Sequence, residues 1–190
     1  MRVSDARRRD IWNLCKDVAD NISITYASTE YKRWTAMLLF GTAAQESGLW
    51  HRRQVGFNAY HDSAGAFGLW QTESISILDS MRRLDTRPML NDSVMSWLFT
   101  EWNWQVSWLS DMTTDLVCKS IIADDRMACL FARLHYLWKP NRIPVTVVGQ
   151  AQMWKRDYNT IRGSGTVDEY VNNYNVLCRD IVDSDTWGLH

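Results

Sequence analysis

Helix breakers are scarce in this chain: three Pro and nine Gly punctuate 190 residues. These two residues interrupt helices more strongly than any others, so a chain with few of them and regular apolar spacing is expected to be mainly α. From Ser4 to about Ser28 the apolar positions Ile11, Trp12, Cys15, Val18, Ala19 and Ile22 recur at steps of three and four, with Ser4 or Asp5 as the expected cap. A second helix is expected from Thr29 to Ser47, with Thr29 as N-cap and Gly48 as the stop. The period returns from about Gln71 to Met81, from about Asp92 to Asp111, and over 126–138, which Pro140 ends. "AQMWKRDYNT" and "TVDEYVNNYNVLCRDIV" read as short helices around the turn "IRGSGT", and "NRIPVTVVG" before them as irregular or extended. Residues 51–68 mix Gly, Asn, Asp and Ser without a clean period and read as a long loop with room for a strand or two. Such a loop inside a compact domain is usually functional. With no internal repeat, low-complexity tract or dividing linker, residues 1–190 are expected to form one domain.

Composition narrows the partners. The formal net charge of −1 gives no global reason to expect nucleic acid, and "RRR" at 7–9 and "HRR" at 51–53 are short enough to be solvated surface. Cys15, Cys118, Cys129 and Cys178 are widely spaced and form no C-x-x-C, so no spacing supports a zinc site, and buried free thiols are expected over disulfides. His51 and His135 have no partners at ligand spacing, and neither metal nor cofactor is expected. No run of 18 apolar residues occurs and "MRVSDARRRD" opens no secretion signal, so neither a membrane span nor an export signal is expected. Tryptophan is abundant, at eleven residues, and suits cores, interfaces and sugar-stacking surfaces alike. In "WLFTEWNWQVSW", Trp97, Trp104 and Trp108 share a helical face that Trp102 leaves, a pattern that favours core packing over a sugar platform.

One carboxylate stands apart. In "AAQESGLW", residues 43–50, Glu46 falls on or beside a stripe of Leu38, Leu39, Thr42, Ala43, Leu49 and Trp50, in the last turn of its helix. Burial and the negative end of the helix dipole would both disfavour the charged form and raise its pKa. An exposed Glu at a frayed helix end would show the same sequence. Nineteen residues on comes "GAFGLWQ", residues 65–71, where Gly65 and Gly68 bracket a turn whose backbone can approach a ligand.

An "ESG" ending a helix, followed by "GAFGLWQ", resembles the paired motifs of the lytic transglycosylases and goose-type lysozymes, E-S-x-[FL] and G-A-x-G-L-[MW]-Q. The resemblance is dense over 43–50 and 65–71 and looser through about residue 140. It implies a lysozyme-like fold with a catalytic core at 29–140, an N-terminal helix at 1–28 and a C-terminal helical extension at 141–190. It implies cleavage of the β-1,4 bond between N-acetylmuramic acid and N-acetylglucosamine in peptidoglycan. Glu46 matches the catalytic acid/base and Ser47 the serine beside it, while Gly65, Ala66, Gly68, Leu69 and Gln71 match the segment lining the glycan groove. The family's later "AYNAG"-type tyrosine has two candidates, Tyr136 and Tyr158, and Tyr136 is preferred because it follows an apolar helix. The segment between the motifs, carrying Phe57, Tyr60, His61 and Asp62, is longer than in the family.

A hydrolase usually supplies a second carboxylate, and the nearest in sequence, Asp62 and Glu73, read as ordinary surface residues, whereas a transglycosylase needs one acid/base, because the muramic acid's 6-hydroxyl closes an anhydro ring. The transglycosylase outcome is the expected one. His61, Asp62 and Ser63 are adjacent and cannot converge as a triad does. Peptidoglycan lies outside the cytoplasm, so a chain without an export signal is expected to be carried by a phage virion, in its tail, and to act on the bacterial cell wall during genome delivery. Release during lysis, and a tail structural or adaptor role with little activity, are the alternatives.

Overall fold

The computed structural model describes residues 3–23, 27–51, 65–102, 114–159 and 164–187, apart from the side chains of residues 101, 102 and 114. It is mainly α-helical, with one small two-stranded antiparallel sheet among the described residues. Helix α1 spans Asp5–Asn21, α2 Thr29–Ser47, α3 Ser74–Asp85, α4 Pro88–Trp102, α5 Thr114–Ala123, α6 Asp125–Leu137, α7 Val147–Trp154, α8 Val167–Leu177 and α9 Arg179–Asp183. Strands β1 (Ala66–Phe67) and β2 (Thr72–Glu73) pair Ala66 with Glu73 and Phe67 with Thr72.

The organising element is α2. All seven residues from Leu38 to Ala44 are buried, so this helix is covered on every side rather than along one stripe. It packs against α1, α6, α7 and α8. Small residues make that possible: a Cβ on Gly41 would stand 2.2 Å from the Tyr170 hydroxyl oxygen and 3.0 Å from the Tyr174 ring. Both tyrosines are buried on α8. The helix starts at the Ser28 side chain, which accepts the Tyr31 amide, and ends at Gly48 in the left-handed conformation. Thus Gly48 stops α2 as expected, but the N-cap is Ser28, one residue before Thr29.

Other boundaries differ from expectation for local reasons. Helix α1 ends at Asn21, well short of Ser28, and its Ile22 carbonyl accepts the Nε of Arg133 at 2.8 Å. Residues 72–73 pair as β2, which delays α3 to Ser74. Pro88 opens α4 four residues before Asp92, suiting a residue that lacks the amide a first turn leaves unused. Residues 103–113, and with them Trp104 and Trp108, lie outside the described residues. Trp97 is buried and donates its indole N–H to Asp17 at 2.9 Å. Helix α5, Thr114–Ala123, is a helix that the apolar spacing does not predict. The pair expected around "IRGSGT" is present as α7 and α8, the latter opened by a Thr166–Glu169 capping box, with 160–163 outside the description.

The arginine run at 7–9 is not plain solvated surface. Arg8 is buried and bonds both oxygens of Asp180, at 2.6 and 2.8 Å, and Asp5 at 2.7 Å, while Arg7 pairs with Asp125. Nearby, Asp185 accepts Trp12 Nε1 at 2.7 Å and Lys16 Nζ at 2.6 Å, and Arg33 donates to the carbonyls of Val182, Asp185 and Trp187. Burial alone would raise the Asp185 carboxyl; donors from Lys16, the Trp187 backbone and Trp12 hold it below the usual range. These bonds fasten the last described turn to the first two helices. All four cysteines are free and buried, as expected. Among the described residues no helix is long and apolar enough to cross a membrane, and no three His, Cys, Asp or Glu gather to hold a metal ion.

The close approach at Gly41 gives the first prediction. Gly41→Ala should destabilise the fold by about 1–3 kcal/mol, the usual range for overpacking a tight core. Thermal unfolding of the variant beside the parent chain measures this, and an unchanged Tm would show that Tyr170 can move aside.

Candidate functional site

Glu46 sits two residues before the left-handed Gly48, where α2 emerges from its covering helices. Its carboxyl is mostly enclosed, and its Oε1 accepts the indole N–H of Trp154 at 2.7 Å. Trp154 is the last residue of α7, 1% exposed, with its ring centred 5.4 Å from that of Tyr170. Opposing influences set the proton affinity of Glu46. Burial is the largest and raises it, the Trp154 N–H favours the anion and lowers it, and the charge of Glu73 raises it again. The result is a carboxyl pushed up to about 7.

The second motif folds into the hairpin that faces this helix end. Gly65, Gly68 and Gln71 all have positive φ, at 130°, 70° and 47°. The turn is locked from several sides: Gln71 Nε2 donates to the Gly68 carbonyl at 2.7 Å, and Trp70 Nε1 donates to the Leu39 carbonyl of α2 at 2.7 Å. Gly68 has a packing reason to be glycine beyond its φ, since a Cβ there would meet Ala128 at 2.6 Å and Ile121 at 2.9 Å. Leu69 and Trp70 are wholly buried.

The two tyrosine candidates prove to be neighbours. Tyr136 and Tyr158 stack with centroids 5.2 Å apart, and His135 meets Tyr158 edge-on at 4.8 Å. Tyr158 is delivered by a π-helical turn, Lys155–Asn159, that continues α7 past Trp154. Such turns are rare and often accompany functional sites. The hydroxyl of Thr42 donates to the Leu38 carbonyl at 2.7 Å, so Tyr136 OH donates to Thr42 Oγ1 at 2.8 Å. By the same reasoning Tyr158 OH donates to the Trp70 carbonyl at 2.8 Å and receives the Thr72 hydroxyl at 2.9 Å. The pair therefore ties α2, α6 and the hairpin together. Burial lowers the proton affinity of His135, whose Nε2–H donates to the Asp157 carbonyl at 2.7 Å.

The structure thus brings Glu46, the 65–71 hairpin and Tyr136 into one neighbourhood but gives them different surroundings. Ser47 is buried with its hydroxyl on the Ala43 carbonyl at 2.9 Å, and Gly68, Leu69 and Tyr136 are likewise turned to interior contacts. Gly65, Ala66 and Gln71 stay partly open, and Gln71 Nε2 lies 3.5 Å from the His51 carbonyl, three residues beyond Gly48. Phe57, Tyr60, His61, Asp62 and Ser63 lie outside the described residues. Trp154, 108 positions from Glu46, was missed, and Trp50, expected on the apolar stripe of the helix, instead lies beyond its end and is 56% exposed. Compared with known protein families, curated proteins and solved structures, the chain matches none.

The raised carboxyl makes stability depend on pH with a definite sign. In the unfolded chain Glu46 ionises near 4.5 and in the folded chain near 7, so above pH 7 both states are charged and folding bears the full cost of the buried anion. That cost is relieved as pH falls from about 7 to 4.5. Glu46→Gln should therefore stabilise the protein by about 2–3 kcal/mol at pH 8 and by much less at pH 5. Melting curves at the two pH values measure the difference, and equal gains at both would contradict the burial argument.

Proposed function

We propose that the chain is a peptidoglycan-cleaving enzyme of lysozyme-like fold, a lytic transglycosylase with Glu46 as its single acid/base. The observation that carries this reading is the Glu46 carboxyl itself: mostly enclosed, held by one indole N–H, and pushed up to about 7 beside a glycine-cornered hairpin. A general acid must hold its proton at working pH and still release it, which a carboxyl near 7 does and an ordinary one near 4 does not.

In this mechanism Glu46 protonates the bridging oxygen between the muramic acid and glucosamine rings as that C–O bond breaks. The carboxylate left behind then takes the proton of the muramic 6-hydroxyl, whose oxygen closes onto C1 and yields the anhydro end. The proton is returned and no water is consumed. Gln71 and the backbone of the 65–71 turn offer hydrogen bonds to the glycan, and the exposed Trp50 an aromatic face for a sugar ring. The enzyme is carried in a phage tail, contacts other virion proteins, and opens the cell wall for genome delivery.

One observation favours a second outcome. The charge of Glu73, at the end of β2, acts on Glu46, so a second carboxylate lies in the neighbourhood of the proposed acid, and a hydrolase would use such a group to direct a water. Mass spectrometry of digested muropeptides separates the two: anhydro ends mean transglycosylation, reducing ends hydrolysis. Glu46→Gln should abolish release of either product, a loss of at least a thousandfold, with the fold retained by circular dichroism. Digestion at the parent rate by the folded variant would remove Glu46 from the mechanism.

A further inference from the structure

We infer that Trp154 is a positioning residue for Glu46: its indole N–H, bonded to Oε1, confines the carboxyl's exchangeable proton to Oε2 and so fixes which oxygen can give it away. The inference deepens the reading of Glu46 as an acid and rests on it.

Geometry and donor chemistry carry the argument. An indole nitrogen donates one hydrogen bond and accepts none. At 2.7 Å from Trp154 Nε1, Oε1 must present a lone pair toward the ring in both protonation states. The carbonyl oxygen of a neutral carboxyl is the better acceptor and its hydroxyl oxygen the poorer, so the neutral acid carries its hydrogen on Oε2. The indole is not free to turn away. It is 1% exposed, lies against the Tyr170 ring, and is crowded from outside by Gly165, where a Cβ would stand 2.7 Å from Trp154 Cη2 and 3.0 Å from Gln45 Nε2. Beside it, Asn173 Nδ2 donates to Gln45 Oε1 at 2.8 Å, so α8 holds the residue next to Glu46 as α7 holds Glu46 itself.

The same bond tempers the acid. Burial and Glu73 drive the carboxyl toward staying protonated, and the N–H is the influence on the other side. Without it the acid would keep its proton further into the alkaline range and return it less readily.

The test uses the full chain, labelled with carboxyl-13C glutamate and indole-15N tryptophan. The Glu46 carboxyl and one indole N–H should titrate with a common midpoint in the parent protein, the indole signal remaining hydrogen-bonded at both ends. In Trp154→Phe that indole signal disappears and the Glu46 midpoint rises by about one unit, since a donor to the anion is gone. Gly165→Ala, which presses on the indole without deleting it, should also raise the midpoint and loosen the shared titration. An unshifted Glu46 midpoint in Trp154→Phe, or an indole that ignores Glu46 in the parent protein, overturns the inference. Muropeptide release is read in parallel: the alkaline limb of its pH profile should move up with the midpoint, which a merely structural defect would not cause. If the parent protein titrates as described yet releases no muropeptides, the positioning role stands and the proposed reaction falls.

Discussion

Everything in this fold leans on the burial of one helix from all sides. A helix covered only along a stripe can keep large side chains there and polar ones elsewhere, but α2 has no elsewhere between Leu38 and Ala44. It meets that constraint with small residues where neighbours press closest. Gly41 admits the Tyr170 hydroxyl, Ala43 and Ala44 are enclosed, and the Thr42 hydroxyl is satisfied by its own helix and by Tyr136. The carboxyl of Glu46 inherits its environment from this arrangement, because it lies two residues beyond the last wholly covered stretch.

Five tryptophan N–H groups are paired within the described fold. The indoles of Trp12, Trp70, Trp97, Trp138 and Trp154 each donate to a named acceptor: Asp185, the Leu39 carbonyl, Asp17, Ser80 and Glu46. A buried N–H left without an acceptor would cost on the order of 1–3 kcal/mol, so each of these pairings fixes the position of a large ring. Three of the five acceptors are carboxyls, and only at Glu46 does the indole N–H work against a burial that still leaves the carboxyl raised, to about 7; Asp185, with Lys16 and a backbone amide beside its indole, stays below the usual range.

How much of this the sequence made legible depended on the range of each interaction. The end of α2 at Gly48 was readable because the stop is encoded in one residue, and the mainly α character because breakers are few. Ser28 displaced Thr29 as cap because two adjacent hydroxyl residues compete and only geometry decides between them. Helix α3 began late because residues 72–73 were claimed by a strand partner that no period announces. Arg8 looked like surface because its partner Asp180 is 172 residues away. At the site, Glu46 and its helix position were readable, and so was a raised proton affinity. Trp154 was not, for the same reason as Asp180: its partner lies 108 residues earlier, and nothing within its own segment marks it. The placement of Tyr158 was hidden as well, since it lies inside a π turn that re-aims the chain.

The fastening of the last described turn onto the first two helices has a consequence for the order of events during folding. Asp185 reaches back to Trp12 and Lys16, and the carbonyls from Val182 to Trp187 reach back to Arg33, so these contacts span some 150 to 170 residues of chain. Loop closures of that length form late, after local helices exist. The contact that covers Glu46 is of the same long-range kind: Trp154 lies 108 residues away in sequence, so the carboxyl gains its indole partner only once a distant part of the chain has docked onto α2.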